Sequence, residues 1–434
     1  RRITAWRVQR GSDVYLVKTC EEHGTFETII WRGEPGHASW VRIKTPSPPE
    51  TPLTVVGEGC PFDCGLCPEH RQQTCTALLE VTQRCNLACD FCFASANSDL
   101  ADPDLATIEG WYRSVLRTGV TANVQISGGE PTVRDDLPAI VALGRDLGFG
   151  FIQVNTNGLR FAQDPDYVAA LKAAGLGSVF LQFDGTDDAI YRALRGRALL
   201  AEKEAAIAAC TKQDLGVILV PTLVPGVNVH AIGDIVRFAL AHTPVVRGVH
   251  FQPVSYFGRY PAAPTDASRI TLPEVIRALE VQTEGLVRVA NFIPPGCENA
   301  LCSFHGNFVQ LEDGRLHAWT QHQPRTCCCK PKPAAEGAAE ARSFVAHQWR
   351  APELAPESKG PSLGGWDALL ERAKTHVFCI SGMAFQDAWT LDLERLRDCC
   401  IHTVAPDGRL IPFCAYNLTA RDGKTLYRQV AAEG

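Results

Sequence analysis

The sequence predicts an α/β protein built on a partial (β/α)6 barrel of the TIM type, with a cysteine-rich metal-binding domain on each side. Three observations carry this reading. Between residues 78 and 254, short β-rich runs alternate with helical patterns. Inside the β-rich runs polarity scarcely alternates, as expected of parallel strands buried on both faces. Cysteines crowd the two ends of the chain and the first loop of the alternating region. The boundaries follow: residues 1–76, 77–290 and 291–434, with an Ala/Pro/Glu-rich exposed linker at 331–364.

Six β-rich runs set the beat: Leu78–Val81, Val124–Ser127, Phe151–Asn155, Ser178–Phe183, Gly216–Leu223 and Gly248–Val254. Helical patterns fill the gaps at Asp104–Thr118, Leu137–Leu147, Pro165–Ala174, Ala189–Gln213 and Ala231–His242. Strand–helix–strand units of this kind pair in parallel through right-handed crossovers. Their chemistry collects at the C-terminal ends of the strands. Residues 1–75 read instead as short strands around metal ligands, such as Val14–Val17 and Phe26–Trp31.

The chain has 434 residues, 45% of them apolar and 21% charged, which fits a multidomain globular protein. No apolar run has the roughly 18 residues of a membrane span, and the first residues lack the apolar core of a signal peptide. A cytoplasmic location is expected, with membrane-surface association left open. Net charge is −6 without any Lys/Arg run, so nucleic acid is not an expected partner. Eighteen cysteines in such a chain point to metal coordination and not to a disulfide scaffold. Cys210, on the apolar face of a helical pattern, reads as a small core residue.

The first β-rich run leads into Thr82-Gln83-Arg84-Cys85-Asn86-Leu87-Ala88-Cys89-Asp90-Phe91-Cys92. Iron–sulfur clusters are normally held by four thiolates, so Cys85, Cys89 and Cys92 leave one iron open for a ligand. After the second run comes Ser127-Gly128-Gly129-Glu130-Pro131. Two glycines allow close backbone approach, and a carboxylate beside them can receive an ammonium group. The C-x3-C-x2-C loop, with Phe91 before its third cysteine, resembles the cluster loop of the radical S-adenosylmethionine (SAM) superfamily, and Gly128-Gly129-Glu130 resembles its G-G-E motif. The resemblance implies a 4Fe–4S cluster at Cys85, Cys89 and Cys92 that binds SAM. It implies reductive cleavage of SAM to a 5′-deoxyadenosyl radical, and hydrogen abstraction from an unactivated carbon. Phe91, Gly128, Gly129 and Glu130 would contact SAM, and Asn157, Gln182 and Asp184, at the next strand ends, would hold its ribose or carboxylate. Ordinary Asn-Gly and Asp-Gly turns are the alternative there. Pro221, Thr222, Gln252 and Pro253 sit where adenine or substrate would lie.

A second C-x3-C-x2-C runs through Cys60, Cys64 and Cys67, but it follows no barrel strand and precedes no G-G-E. It reads as an auxiliary 4Fe–4S cluster or a mononuclear iron or zinc site with four cysteine ligands. Cys75, Cys20, His23 or His70 would complete its shell. The closing group is Cys297, Cys302, Cys327, Cys328, Cys329, Cys379, Cys399, Cys400 and Cys414. Cys297, Cys302 and Cys414 are the candidates for a further auxiliary site, with some of the others buried thiols.

The tandem loops, with Arg71-Gln72-Gln73-Thr74-Cys75 between them, resemble the tetraether lipid synthase group and the related class D radical SAM methylases. Ile380–Trp389 and Cys399-Cys400-Ile401-His402 are similar to that group too, and a TrsS-like, selenoprotein-related subgroup is another resemblance. The likeness implies C–C bond formation by coupling or methylation, a lipid chain before a peptide as substrate, and a low-potential electron donor such as ferredoxin or flavodoxin. A radical peptide maturase is the rival reading. A non-catalytic electron carrier would leave the open iron and the Gly128-Gly129-Glu130 cradle unexplained, and a zinc-structured binding protein would hold no sulfide.

Overall fold

The computed structural model describes residues 2–96, 100–322, 331–352 and 365–428, with the backbone alone for 365–369. Cys327, Cys328 and Cys329 lie outside the described residues. Six parallel strands form the centre: Thr76–Glu80, Asn123–Ser127, Ile152–Thr156, Ser178–Gln182, Gly216–Val220 and Val246–Pro253. They pair in chain order, with Thr76 opposite Asn123, Val124 opposite Ile152, Val154 opposite Val179, and Val179 opposite Val217. Valine, isoleucine and leucine dominate them, as a pleated surface covered on both faces requires.

The crossover helices pack on the outer face. Val124, Ile126, Val154, Val179, Leu181, Val217 and Leu219 meet Ile108, Tyr112, Ile140, Val168, Ile207 and Ile235 there, all buried. Each such side chain contributes about 1.5–3 kcal/mol on leaving water. Alternate residues point to the concave face, where Phe180, Ile218 and Val220 gather around Trp349. The helix expected over Ala189–Gln213 is two helices, Asp188–Arg195 and Leu200–Lys212. Gly196 separates them with a left-handed φ of 79°, which a glycine adopts without a Cβ penalty.

The C-terminal region joins the barrel sheet instead of standing apart. Val377–Met383 adds in parallel to Val246–Pro253, and Ile401–Val404 adds in parallel to Thr76–Glu80. Both open edges are thereby covered, giving a row of eight consecutive parallel strands in the barrel sheet among the described residues. Ser303–Gln310 and Leu410–Pro412 extend the sheet outward in antiparallel sense. The N-terminal segment forms its own antiparallel sheet of Ala5–Arg10, Asp13–Cys20 and Gly24–Trp31.

The stretch 331–364, expected as an exposed linker, contains the helix Ala334–Gln348. It crosses the N-terminal ends of the barrel strands, where Asn123 Nδ2 donates to Arg342 O at 3.1 Å and Arg247 Nε to Gln348 O at 2.9 Å. Its small residues Ala334, Gly337 and Ala338 are the buried ones, which lets the helix lie close. Small residues read as low complexity in one dimension and as a packing face in three. Residues 353–364 lie outside the described residues.

Glu80, at the C-terminal end of the first barrel strand, is clamped by Arg428 near the end of the chain. Arg428 Nη1 donates to Glu80 Oε2 at 2.8 Å, and Nη2 to Oε1 at 2.5 Å, with both side chains under 5% exposed. Breaking such a pair strands a buried charge. Arg428→Ala is expected to lower stability by about 3–5 kcal/mol, measured as a drop in the denaturation midpoint.

Candidate active site and metal centres

The backbone leaving the first barrel strand is stitched to the turn after the second. Gly129 N donates to Thr82 O and Glu130 N to Arg84 O, both at 2.8 Å. A Cβ on Gly128 would lie 2.2 Å from Thr82 O, and one on Gly129 2.2 Å from Arg84 O. Both glycines are thus required by the cysteine loop itself. Arg84 pairs with Asp102, whose Oδ1 also accepts from Thr82 Oγ1 at 2.5 Å. Asn157 Nδ2 donates to Asn86 Oδ1 at 2.7 Å, so the end of the third strand also holds the loop.

Cys85, Cys89 and Cys92 are partly exposed on this loop. Burial raises the Cys85 thiol to about 12, against a smaller opposing effect of the Leu87 N–H. Arg259 anchors the far side: it exchanges backbone hydrogen bonds with Cys92, and its Nε donates to Cys89 O at 2.8 Å. Phe91 meets Tyr256 edge to face, with ring centroids 6.2 Å apart. Tyr260 and Trp389 continue that aromatic cluster beside the loop.

Glu130 is buried and makes four contacts. Its Oε1 accepts from Thr132 N, Thr132 Oγ1 and Thr156 Oγ1, and its Oε2 from Asn157 N at 2.7 Å. Oε1 takes three of these donors and Oε2 only one, so Oε2 is the oxygen with capacity left for a further donor. Asp184 is more fully engaged. Arg195 grips both its oxygens at 2.8 Å, Thr222 N donates to Oδ1 at 3.1 Å, and Gln182 reaches Oδ2.

Lys203 went unnoticed in the sequence because it lies within a helical pattern. It is fully buried, and its Nζ donates to Asn157 O at 2.5 Å and Gln182 Oε1 at 3.0 Å. Burial lowers its pKa to about 8, against the opposing charge of Asp184. Gly128, Gly129, Glu130, Asn157, Gln182 and Asp184 therefore converge with Lys203 and Arg195 at the strand ends above which the cysteine loop sits.

The remaining cysteines fall into groups that spacing did not foretell. Cys60, Cys64, Cys67 and His70 line one small cavity beside Leu396 and Arg397. Cys75 is not in this group, and Cys20 lies elsewhere with His23, their Sγ and Nδ1 3.3 Å apart. Cys302, Cys399 and Cys414 lie within electrostatic reach of one another, but their sulfurs are not drawn into a metal-sized group, and Cys297 is not among them. Arg395 Nε donates to Cys302 Sγ at 3.4 Å. Cys297 lies instead with Cys75 and Cys400, their sulfurs within 4.8 Å of one another. Cys379, buried on its strand, is raised to about 12 by burial and belongs to no cysteine group among the described residues.

Residues 79–239 match the family described as the Radical SAM superfamily, and residues 1–32 the HMPTM N-terminal zinc ribbon domain. Over its whole length the chain is 35% identical to 7,8-dihydro-6-hydroxymethylpterin dimethyltransferase of Methanocaldococcus jannaschii, covering 93% of that protein. The chain belongs to the radical SAM superfamily. A 4Fe–4S cluster and SAM are accordingly the cofactors of this radical SAM enzyme. The chain is also 30% identical to a probable GTP 3′,8-cyclase of Methanothermobacter thermautotrophicus, over 39% of this chain and 55% of that one. Among solved structures, SuiB of Streptococcus suis aligns with a TM-score of 0.40 at 18% identity, over 49% of this chain and 46% of SuiB. The whole-length likeness is to a pterin methyltransferase, where the sequence reading had favoured a lipid chain.

The three thiols of the loop suit the cluster: their donor type is right, and their sulfurs are not drawn together around a single ion. Gly128→Ala is expected to displace the loop. Anaerobically purified variant should bind SAM at least tenfold more weakly in equilibrium dialysis, while its far-ultraviolet circular dichroism keeps the α/β signature.

Proposed function

We propose that this radical SAM enzyme is a carbon methyltransferase, forming C–C bonds at unactivated positions of a reduced pterin or a closely related heterocycle. The observation that carries the reading is the likeness to a dihydropterin dimethyltransferase along the whole chain, both cysteine-rich ends included. Cys85, Cys89 and Cys92 would hold the cluster. Glu130 Oε2 and the Gly128-Gly129 backbone would receive the methionine end of SAM, with Asn157, Gln182 and Lys203 beneath it. Held there, the cluster and SAM would supply hydrogen-atom abstraction from carbon, and the methyl group would come from a separate one-carbon donor whose bond to that carbon breaks.

The chain's own residues set up that step. Arg195, Asp184 and Lys203 form a buried charged floor that needs no rearrangement when a ligand arrives. Phe91, Tyr260 and Trp389, partly exposed, present ring faces and edges beside the loop, backed by the buried ring of Tyr256, whose centroid lies 6.5 Å from that of Trp389. Flat aromatic surfaces suit a bicyclic heterocycle better than a flexible chain, because offset stacking rewards planar partners. Electrons would come from a low-potential carrier of the ferredoxin or flavodoxin class. Among the described residues no helix is long and apolar enough to cross a membrane.

Incubated anaerobically with dithionite, 7,8-dihydro-6-hydroxymethylpterin, an excess of SAM and a folate-type one-carbon carrier as sources of the methyl carbon, the protein should yield 5′-deoxyadenosine and a pterin carrying added methyl groups by mass spectrometry. Replacing Cys85, Cys89 and Cys92 together by Ala should abolish both products. Deoxyadenosine from that variant would refute the assignment of the loop, and a methylated lipid in place of pterin would refute the substrate class. Trp389→Ala should raise the KM for the pterin roughly tenfold while SAM cleavage persists.

A further inference from the structure

We infer that the barrel lumen beneath the cysteine loop is a pocket that reads an aminopyrimidinone edge, the hydrogen-bonding end of a pterin. Asn155, Gln125, His250 and Ser381 form its walls, and Phe180 on Trp349 forms its floor. The choice of a pterin rests on the methyltransferase reading above, whereas these side chains define the pocket.

Asn155 and His250 face inward by strand alternation. Val154, beside Asn155, and Val249 and Phe251, on either side of His250, are buried in the core of the outer face. Asn155 stands opposite Phe180 in register, and His250 opposite Ser381. The Phe180 ring centroid lies 5.5 Å from that of His250 and 5.0 Å from that of Trp349. The Trp349 backbone comes up against the start of the fifth strand, where a Cβ on Gly216 would collide with Trp349 O. The lumen therefore ends on an aromatic surface.

The polar groups above that surface are incompletely matched. Asn155 Oδ1 is buried and accepts no hydrogen bond, and Trp349 Nε1 is buried and donates none. Buried polar atoms are rarely left without a partner. Gln125 is bonded at one end of its amide, to Gln153, which bonds in turn to Ser178. His250 Nδ1 lies 2.9 Å from Ser381 Oγ, which leaves Nε2 for a ligand. Burial lowers the His250 pKa to about 4, so the ring is neutral. Gln125, Asn155, His250 and Ser381 are all partly exposed although they lie inside the barrel, so they border open space. Convergent polar groups over a flat aromatic floor suit a planar heterocycle.

None of these side chains is charged, so a phosphate or carboxylate would find no counter-ion among them. A lipid chain would leave every one of the polar atoms unpaired, at a cost in affinity. An aminopyrimidinone is neutral and flat, with N–H donors beside carbonyl and ring-nitrogen acceptors. In 7,8-dihydro-6-hydroxymethylpterin the saturated carbons open to hydrogen abstraction lie at the opposite, pyrazine end. That end must face the cysteine loop, so the pyrimidinone points down the lumen. Its 2-amino group projects furthest and falls to Asn155 Oδ1. Tyr256, three residues beyond the strand that carries His250, belongs to the ring platform at the upper rim.

Equilibrium dialysis of the full, anaerobically purified, cluster-loaded chain without reductant tests this. The probes are the dihydropterin, its lumazine counterpart, in which oxygen replaces the 2-amino group, and guanosine, which carries the same edge. Wild type should bind the pterin at least about tenfold more tightly than the lumazine. Asn155→Leu should reduce that preference to within about twofold while keeping its affinity for SAM. Because the substitution removes an unpaired buried atom, the variant should melt no lower than wild type. Should it fail to fold, His250→Asn, placed to keep the bond to Ser381, should weaken pterin binding at least about fivefold with SAM affinity unchanged. Pterin bound equally by wild type and these variants, or no preference over lumazine in wild type, would overturn the pocket and leave the pterin as substrate. Guanosine bound in place of pterin, and lost in Asn155→Leu, would uphold the pocket and refute the pterin reading.

Discussion

Two backbone segments pass within hydrogen-bonding distance at the C-terminal ends of the first and second barrel strands, and the geometry of the active site follows from that contact. Gly128 and Gly129 run against the carbonyls of Thr82 and Arg84 with no room for a Cβ. The cysteine loop therefore starts in one defined direction. Asn157 then reaches Asn86 from the next strand, and Arg259 fixes Cys89 and Cys92 from the sixth. A three-cysteine loop is short and polar and has little local reason to be rigid. Its order comes from the strand ends around it.

The two ends of the barrel are built differently. At the C-terminal ends, charged groups are buried in pairs and networks: Glu130 among threonines, Asp184 with Arg195, and Glu80 with Arg428. Such groups are costly to bury and hold their places only when each is matched. At the N-terminal ends there is packing and cross-bracing, by the helix Ala334–Gln348, by Trp349 on the concave face, and by the trio Cys75, Cys297 and Cys400. The two C-terminal strands brace the edges over part of their length, Ile401–Thr403 beside Thr76–Leu78 and Cys379–Gly382 beside Gly248–Phe251.

Much of the central region was legible in the sequence. Runs of Val, Ile and Leu without alternation mark strands covered on both faces, and all six emerge within a few residues of their expected limits. The tandem C-x3-C-x2-C loops were told apart by what precedes and follows each. What stayed hidden were partners distant in sequence. Cys75 sits eight residues from Cys67 yet lies with Cys297 and Cys400. Lys203 could have been suspected: a lysine amid alanines on a helix with an apolar face either snorkels to water or meets a buried acceptor.

By itself, the sequence determined that an α/β barrel carries a three-thiolate loop at one strand end and a glycine pair at the next, since both depend on periodicity and spacing along the chain. Only the tertiary structure decided which cysteines share a site, and that the glycines serve the loop's own backbone. It also turned an apparent linker into a helix under the barrel, and two C-terminal strands into the barrel's outer edges. The physical reason is range. Strand and loop patterns are set by neighbours a few residues away, whereas metal sites, buried ion pairs and sheet edges are completed by residues hundreds of positions apart.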